Sequence, residues 1–264
     1  MDLGISGKVA LVTGASAGLG YASAYALAAE GALLVICSRD SGRIEAAASR
    51  IAEGTGSSVI PVVCDLTETD AIEAMVSGVR DQLGRLDILV SNAGGPPAGQ
   101  FTDLKPEQWE DALNLTFHST LTLCRAALPI MVEQGGGAIV VLTSIAAKQP
   151  IAGLVTSNTL RAGLNGLVKS VSDEYGPKGI RANTIAPGYT RTERLDELAE
   201  GVAEREGIAA DEVFHKWADL SPLKRLGSPD EIGSAVAFLA SERASFITGQ
   251  HLAVDGGAIR GTMG

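Results

Sequence analysis

The sequence predicts an α/β fold, a doubly wound parallel sheet of about seven strands with helices on both faces. Short apolar segments alternate with longer helical segments along the chain of 264 residues, as in a sheet whose parallel strands are joined by helices. Many of the 32 glycines stand at segment ends, where tight turns need them. Aromatic residues are only 4%, so aliphatic side chains must fill the core, as around a buried parallel sheet.

The apolar segments are predicted strands because each is short and is bounded by glycine or polar residues. They span residues 9–13, 33–37, 59–64, 86–91, 138–143, 180–185 and 251–254. The predicted helices between them span residues 20–30, 41–53, 68–83, 106–133, 157–175 and 229–240. Right-handed crossovers then place helices on both faces of the sheet.

We expect one domain over residues 1–264, since no Pro/Ser-rich linker and no internal repeat divides the chain. Residues 192–220 differ from the rest because they are rich in charge, have helical spacing and interrupt the alternation. An insertion near the strand ends can close over a substrate, so we interpret this segment as a lid. A solvated pair of helices fits the same pattern.

Composition and charge disfavour several classes of function. The net charge is −10 and no Lys/Arg run occurs, so neither nucleic acid nor an anionic membrane is an expected partner. Three scattered cysteines and three scattered histidines predict reduced thiols and no metal site. The N-terminus has no apolar signal core and no long apolar run follows, so we expect a soluble, cytoplasmic protein.

A glycine-rich turn joins the first predicted strand to the first predicted helix, and it reads Thr13-Gly14-Ala15-Ser16-Ala17-Gly18-Leu19-Gly20. In a dinucleotide-binding turn Gly14 allows the sharp bend, Gly18 lets the backbone approach a pyrophosphate, and Gly20 lets the helix pack on the strand. Free N–H groups and a partial positive charge at the helix start attract phosphates. A plain strand–helix turn could have the same composition.

The spacing Thr-Gly-x-x-x-Gly-x-Gly resembles the short-chain dehydrogenase/reductase family. Further segments resemble that family in the usual order over essentially the whole chain: Cys64-Asp65-Leu66, Asn92-Ala93-Gly94, Asn114-Leu115, Ser144, Pro187-Gly188-Tyr189-Thr190-Arg191-Thr192 and Asp255-Gly256-Gly257. The resemblance implies a Rossmann-type fold and hydride transfer between a nicotinamide cofactor and a small carbonyl or alcohol substrate, such as a 3-oxoacyl thioester, a sugar or a secondary alcohol.

The resemblance also implies roles for particular residues in holding the cofactor. The glycine turn, with Ser16, Ala17 and Leu19, would bind the pyrophosphate. Asp65 and Leu66 would lie at the adenine. The remaining cofactor contacts would come from Asn92, Ala93, Gly94, Arg161, Pro187, Gly188, Thr190 and Thr192.

The end of the second predicted strand indicates NADP(H) rather than NAD(H). An acidic residue there would bind the ribose hydroxyls of NAD and repel a 2′-phosphate. Ser38 occupies that place, and Arg39 follows with a permanent planar cation that suits a phosphate. The alternative is that Asp40 or Ser41 caps the next helix and Arg39 is merely exposed.

The expected catalytic set is present at only two of four positions. Asn114 and Ser144 match the family, but the family's Tyr, thirteen residues beyond the Ser, is Ser157, and its Lys, four further on, is Arg161. A Tyr of pKa about 10 can be tuned to exchange a proton with a carbonyl oxygen, whereas a Ser is a poor acid without a partner base. Arg161 can hold a ribose but stays protonated.

Three interpretations remain open. In the first, hydride transfer persists, with Ser144 and Ser157 orienting a carbonyl, Arg161 stabilising its negative charge, and another group supplying the proton. The candidates for that group are Lys148, His118, a water near Asn114 and, as first choice, Tyr189. In the second, the protein binds NADP(H) without turnover, as a sensor or assembly partner. In the third, the substrate itself supplies the acid or base.

The resemblance further implies a homodimer or homotetramer built through long helices. Residues 106–133 and 157–175 carry apolar side chains on more than one face, namely Leu121, Leu123, Leu128, Leu164, Leu167 and Val168. One face should cover the sheet, and a second could pack on another subunit. Both faces could also belong to the core of one chain.

Overall fold

The structure, a computed structural model, describes residues 2–261. Its seven-stranded sheet is parallel throughout, in the order β3-β2-β1-β4-β5-β6-β7. The strands are β1 (Val9–Val12), β2 (Leu33–Ser38), β3 (Val59–Val63), β4 (Ile88–Ser91), β5 (Gly137–Leu142), β6 (Ile180–Pro187) and β7 (His251–Val254). The Rossmann-type architecture predicted from the alternating pattern is confirmed.

The helices lie between the strands as the pattern predicts, with ends displaced by a few residues. They are α1 (Gly18–Ala29), α2 (Ser41–Thr55), α3 (Thr69–Leu83), α4 (Pro106–Leu113), α5 (Ser119–Glu133), α6 (Val155–Tyr175), α7 (Glu193–Glu206), α8 (Ala210–Leu220) and α9 (Pro229–Ala240). The segment 192–220, predicted as a lid, consists mainly of α7 and α8, inserted between β6 and α9.

Two separate hydrophobic clusters show that helices cover both faces of the sheet. Ala10 and Val12 of β1 join one cluster, with side chains of α1, α2 and α9. Val9 and Leu11 of the same strand join the other, with side chains of α3, α5 and α6. Successive side chains of a strand point to opposite faces, so both faces of β1 are buried.

The sheet order places a crevice where the chain reverses direction across the sheet. After β1 the chain builds outward to β3, then returns to form β4 on the other side of β1. Loops leaving the carboxyl ends of β1 and β4 therefore diverge, and ligands of open α/β sheets bind at this point. The glycine turn follows β1, and Asn92 follows β4.

The segment Pro106–Glu133 meets the length and composition of a membrane-spanning helix, with a mean hydropathy of 1.2, but half of that apolar window is buried inside the fold. Its helical course is continuous but changes to a π-helical turn at Asn114–His118. Of the six apolar residues expected on two helix faces, four are core residues: Leu123, Leu128, Leu164 and Val168. Leu121 and Leu167 are partly exposed, so most of that surface is intramolecular.

Candidate active site

The glycine turn is locked to the end of β4 by Asn92. The Asn92 side chain donates to the Gly14 carbonyl at 3.1 Å, and Thr13 exchanges hydrogen bonds with the Asn92 backbone at 2.8 and 2.9 Å. A Cβ on Gly14 would lie 2.7 Å from the Asn92 carbonyl oxygen, and a Cβ on Gly20 would collide with the Gly14 carbonyl. These glycines are required because backbone fills the space where their side chains would be.

The start of α1 offers unpaired backbone donors. Ala17 is its N-cap and makes no side-chain capping bond, and the first turn holds no acidic residue. Across the described chain, no hydrogen bond is recorded for the N–H groups of Ser16, Ala17, Gly18 and Leu19. Amides and helix dipole together favour an anion. The turn therefore fits the pyrophosphate of a dinucleotide, as its spacing predicts.

The carboxyl ends of β2 and β3 form the next part of the crevice. Arg39 is exposed. Asp40 is the N-cap of α2, and its carboxylate accepts a hydrogen bond from the Arg43 N–H at 2.8 Å. The carboxylate of Asp65 accepts from Thr67, which, together with the charge of Arg39, lowers the pKa of Asp65. Since Asp40 caps the helix, Arg39 is left as an exposed cation just beyond the end of β2.

Arg161 is hydrogen-bonded to the backbone that precedes Ser144. Its Nη1 donates to the carbonyl oxygens of Leu142 and Thr143, both at 3.0 Å, at the end of β5. Burial, and then the positive charge of Arg194, lower the pKa of Arg161 to about 10. The guanidinium therefore remains charged at neutral pH, and its Nη1 hydrogens are already bonded to the backbone.

The two serines of the expected site have different environments. Ser144 Oγ accepts from the Ala146 N–H at 3.1 Å, which leaves its own hydroxyl proton available to donate. Ser157 is 8% exposed, and its hydroxyl makes no hydrogen bond within residues 2–261. Its neighbour Thr156 donates to the Pro97 carbonyl at 2.9 Å, so the loop after β4 is tied to the first turn of α6.

Asn114 begins the π-helical turn, in which its carbonyl accepts from the Ser119 N–H. Such turns widen a helix and often occur at functional sites. Leu115 packs near Gly94, and Phe117 lies against Gly163 of α6. These contacts bring the turn to the end of β4 and to α6, while Asn114 itself is exposed.

The loop after β6 brings the start of α7 close to the glycine turn. Gly188 lies so close to Asp255 that a Cβ would approach its Cα to 2.7 Å, and Thr190 is buried beside it. Thr192 caps α7, and its methyl carbon lies 3.6 Å from the position of a Cβ on Gly18. The two predicted cofactor-binding loops are therefore adjacent.

The geometry favours a packing role for Tyr189, the first-choice proton donor. Its ring stacks on Trp217 of α8 with centroids 5.0 Å apart, and burial raises the pKa of its hydroxyl, which makes it a weaker acid. Lys148 follows a short turn after Ser144, and its charge, after burial, lowers the pKa of His251. His118 is exposed at the end of the π turn.

Arg194 and Arg43 are residues that the sequence did not single out. Arg194 lies in the first turn of α7 and donates to the Pro96 carbonyl at 2.9 Å. Arg43 pairs with Glu193 at 2.7 Å, which joins α2 to α7 across the crevice. Arg194 stands two residues beyond the Pro-Gly loop, and that position was the only indication of it in the sequence. Whether its side chain points into the site depends on tertiary structure.

A glycine turn at the point where a parallel sheet reverses direction is typical of dinucleotide-binding enzymes. A family model described as enoyl-(acyl carrier protein) reductase matches residues 14–258. Dehydrogenase/reductase SDR family member 4 of Bos taurus is 36% identical over 97% of this chain and 88% of that protein. The 3-oxoacyl-(acyl-carrier-protein) reductase FabG of Chlamydia trachomatis is 33% identical over 95% and 96%.

Among solved structures, the L-sorbose reductase of Gluconobacter frateurii, complexed with NADPH and L-sorbose, superposes with a TM-score of 0.94. It is 35% identical, and the match covers 99% of this chain and 100% of that one. The chain belongs to the short-chain dehydrogenase/reductase family and is an NAD(P)-dependent oxidoreductase. The resemblance stated from the sequence is confirmed.

Proposed function

We propose that this chain transfers a hydride between NADP(H) and the carbonyl or alcohol carbon of a small substrate, with a proton source other than the usual Tyr. The observation that carries the proposal is the hydrogen bonding of Arg161 to the two carbonyls before Ser144. It assembles a fixed cation and a free hydroxyl beside the nucleotide crevice. Reductases among the relatives and structural neighbours support this reaction class.

Each residue at the site has a part that follows from its environment. The nicotinamide, when bound, supplies or accepts the hydride. Ser144 can donate to a carbonyl oxygen because Ala146 already satisfies its acceptor. Ser157 adds a second hydroxyl, and the N–H groups of Arg161 not used by the backbone stabilise developing negative charge. We assign the proton to a water held near the exposed Asn114.

NADP(H) is the proposed preference over NAD(H). Arg39 faces solvent at the end of β2, and none of the carboxylates in residues 2–261 forms an ion pair with it. Asp40 is held by α2. A permanent cation at this place attracts a 2′-phosphate, whereas NAD(H) gains nothing from it.

The test combines cofactor titration with turnover. NADPH and NADH are titrated by fluorescence, and carbonyls and alcohols are then screened for absorbance change at saturating cofactor. We expect NADPH to bind more tightly and to be consumed with at least one carbonyl. Tight binding without turnover across the panel would support the second candidate, a non-catalytic NADP(H) sensor, which the loss of the usual Tyr favours.

Restoring the family residues tests whether only the proton donor differs. The double variant Ser157→Tyr/Arg161→Lys should raise kcat by about a hundredfold, the usual contribution of a placed general acid. Ser157→Phe/Arg161→Lys is the matched control because it adds the ring without the hydroxyl. Equal rates in the two double variants would contradict the idea that turnover is limited by the lack of a Tyr hydroxyl at position 157.

We further propose a soluble, cytoplasmic homodimer or homotetramer that acts on a small molecule. All three cysteines are buried and free, as suits a reducing compartment. Leu121 and Leu167 remain partly exposed on α5 and α6, where a neighbouring subunit could cover them. Light scattering of the purified protein gives the assembly state directly.

A further inference from the structure

The candidate site contains a buried positive charge without an acidic partner. Arg161 is 9% exposed, and its recorded hydrogen bonds go to backbone carbonyls. No carboxylate among residues 2–261 forms an ion pair with it. Removing a charge from water is costly, and buried charges are as a rule paired. Arg161 therefore lacks the counter-ion that its environment calls for.

A second guanidinium approaches from the lid. Arg194 Nη2 donates to the Pro96 carbonyl at 2.9 Å, and its Nε lies 2.8 Å from where a Cβ on Gly95 would be. Its ion pair is with the largely exposed Glu197, on its own helix, at 3.1 Å. Its charge is near enough to contribute to the lowered pKa of Arg161. The two positive charges therefore repel each other, and an anion bound between them would relieve that repulsion.

The loop after β4 accepts hydrogen bonds from the surroundings of both arginines. Pro96 binds Arg194, and the next residue, Pro97, accepts from Thr156 of α6. Ser157 follows Thr156, and Arg161 lies one helical turn further along. A serine at position 157 occupies much less volume than the family's tyrosine, and the volume released in this way lies beside the loop and the first turn of α6.

We propose that this space binds an anionic group of the substrate, a carboxylate or phosphate, between Arg161 and Arg194. This inference rests on the proposed oxidoreductase function and names its substrate class as carbonyl compounds that carry such a group. Planar guanidinium groups bind carboxylate and phosphate oxygens through paired N–H donors. Such a site stands out in a chain whose net charge is −10.

The cofactor pyrophosphate is the other anion that could reach Arg194, because Thr192, two residues earlier, lies over Gly18. Variants of Arg194 distinguish the two sources. The Arg194 side chain is 41% exposed, so Arg194→Gln should fold. Lys216→Gln is the matched control, since Lys216 is a lid cation that pairs with Glu206 at 2.7 Å.

Binding is measured by calorimetry on the complex with NADP⁺, using 4-oxopentanoate against its methyl ester and dihydroxyacetone phosphate against dihydroxyacetone. We expect the wild type to bind the anionic member of a pair at least about tenfold more tightly, as one charge-assisted hydrogen bond allows. Arg194→Gln should remove most of that difference without weakening NADPH binding, and Lys216→Gln should retain it.

Two results would overturn the inference. One is equal binding of charged and neutral members in every pair. The other is an Arg194→Gln protein that binds NADPH less tightly but keeps its preference for anions, which would assign Arg194 to the pyrophosphate. Turnover is followed separately by loss of NADPH absorbance. Anion preference without turnover would refute the proposed function alone, and turnover without anion preference would refute this inference alone.

Discussion

At the residue scale, Gly20 shows why the turn after β1 needs glycine. Its α-carbon packs against the Gly14 carbonyl so closely that any side chain would collide with it. The Asn92 side chain holds the carbonyls of Thr13 and Gly14, so the Gly14 backbone cannot move away without losing the hydrogen bonds that join the turn after β1 to the end of β4. The sequence identified this glycine from spacing alone, and the structure supplies the reason.

Gly20→Ala should therefore abolish measurable NADPH binding and lower stability by about 1–3 kcal/mol, the usual cost of overpacking. Both effects follow from displacement of the turn that carries the free amides. Fluorescence titration and urea unfolding measure them. Gly78→Ala is the matched control, because nothing lies within 4 Å of its would-be Cβ, and it should gain stability through helix propensity. Unchanged NADPH affinity in Gly20→Ala would refute the crevice as the binding site.

Arg39 allows a second prediction at this scale. Arg39→Gln should weaken NADPH binding by about tenfold or more while leaving NADH binding unchanged, since a charge-assisted hydrogen bond to the 2′-phosphate contributes about 1.5–3 kcal/mol. Competitive titration of the two cofactors measures the ratio. Arg80→Gln, which removes an arginine paired with Glu133 on α3 and α5, should leave the ratio as in the wild type. If Arg39→Gln still preferred NADPH over NADH as strongly as the wild type, Arg39 would not be the residue that selects NADP(H).

Residues that sit at fixed offsets from a motif were within reach of the sequence, whereas residues brought in by tertiary contacts were not. Counting from Ser144 located Ser157 and Arg161, but could not show that Arg161 would bond to the carbonyls of β5. Arg194 and Arg43 act across long sequence separations. Spacing carries no information about which lid residue points inward.

At the scale of elements, α9 shows how local sequence fixes a helix start. Ser228 and Glu231 form a capping box, with Pro229 at the first helical position. Glu231 also accepts two hydrogen bonds from Arg225, at 2.6 and 2.8 Å. Arg225, followed by the Ser228 N–H, lowers the pKa of Glu231 from 4.5 to about 2. Motifs of this kind are readable from sequence because all their members are local.

Glu231→Gln should lower the free energy of unfolding by up to about 1 kcal/mol at pH 7, because Gln can keep the capping bond to Ser228 but loses the charge that pairs with the exposed Arg225. The folded-state pKa of Glu231 is depressed, so its stabilisation is complete above its ordinary pKa of 4.5 and is lost as the pH falls towards about 2. The difference between variant and wild type should therefore shrink from pH 7 to pH 3 in denaturant titrations.

Glu133→Gln provides the comparison for that measurement, because Glu133 forms a single exposed ion pair with Arg80 and caps no helix. Its effect at pH 7 should be smaller, as is usual for surface pairs. A Glu231→Gln difference that did not depend on pH would mean that the carboxylate charge contributes nothing to the start of α9.

Other elements were predicted in kind but not in detail. The region 106–133 is helical as its pattern indicates. The π-helical turn at Asn114–His118 is too short to show in the periodicity of the sequence. The same apolar residues that suggested a second, intermolecular face are mostly core, because α5 and α6 pack against the sheet and neighbouring helices. Periodicity finds an apolar face but not what covers it.

At the scale of the whole molecule, the alternation of strands and helices was sufficient for the doubly wound sheet, since right-handed crossovers leave few topologies. The order of the strands in the sheet was known only from the structure. That order matters for function because the crevice opens only where β1 and β4 are neighbours. The segment 192–220 contacts this crevice at three places: Thr192 near Gly18, Arg194 on Pro96 and Glu193 with Arg43.

Because the crevice is formed by strand ends and residues 192–194 contact it, NADPH should stabilise the fold as a whole. At a hundred times its Kd, a ligand that binds only the folded state contributes about 2.7 kcal/mol, which corresponds to a rise in Tm of about 5–10 °C for a domain of this size. Calorimetric scans with and without NADPH measure the shift, and NADH at the same concentration should give a smaller one. Gly20→Ala should show no shift with either cofactor, whereas an unshifted wild-type Tm would contradict a nucleotide site shared by the sheet and the lid.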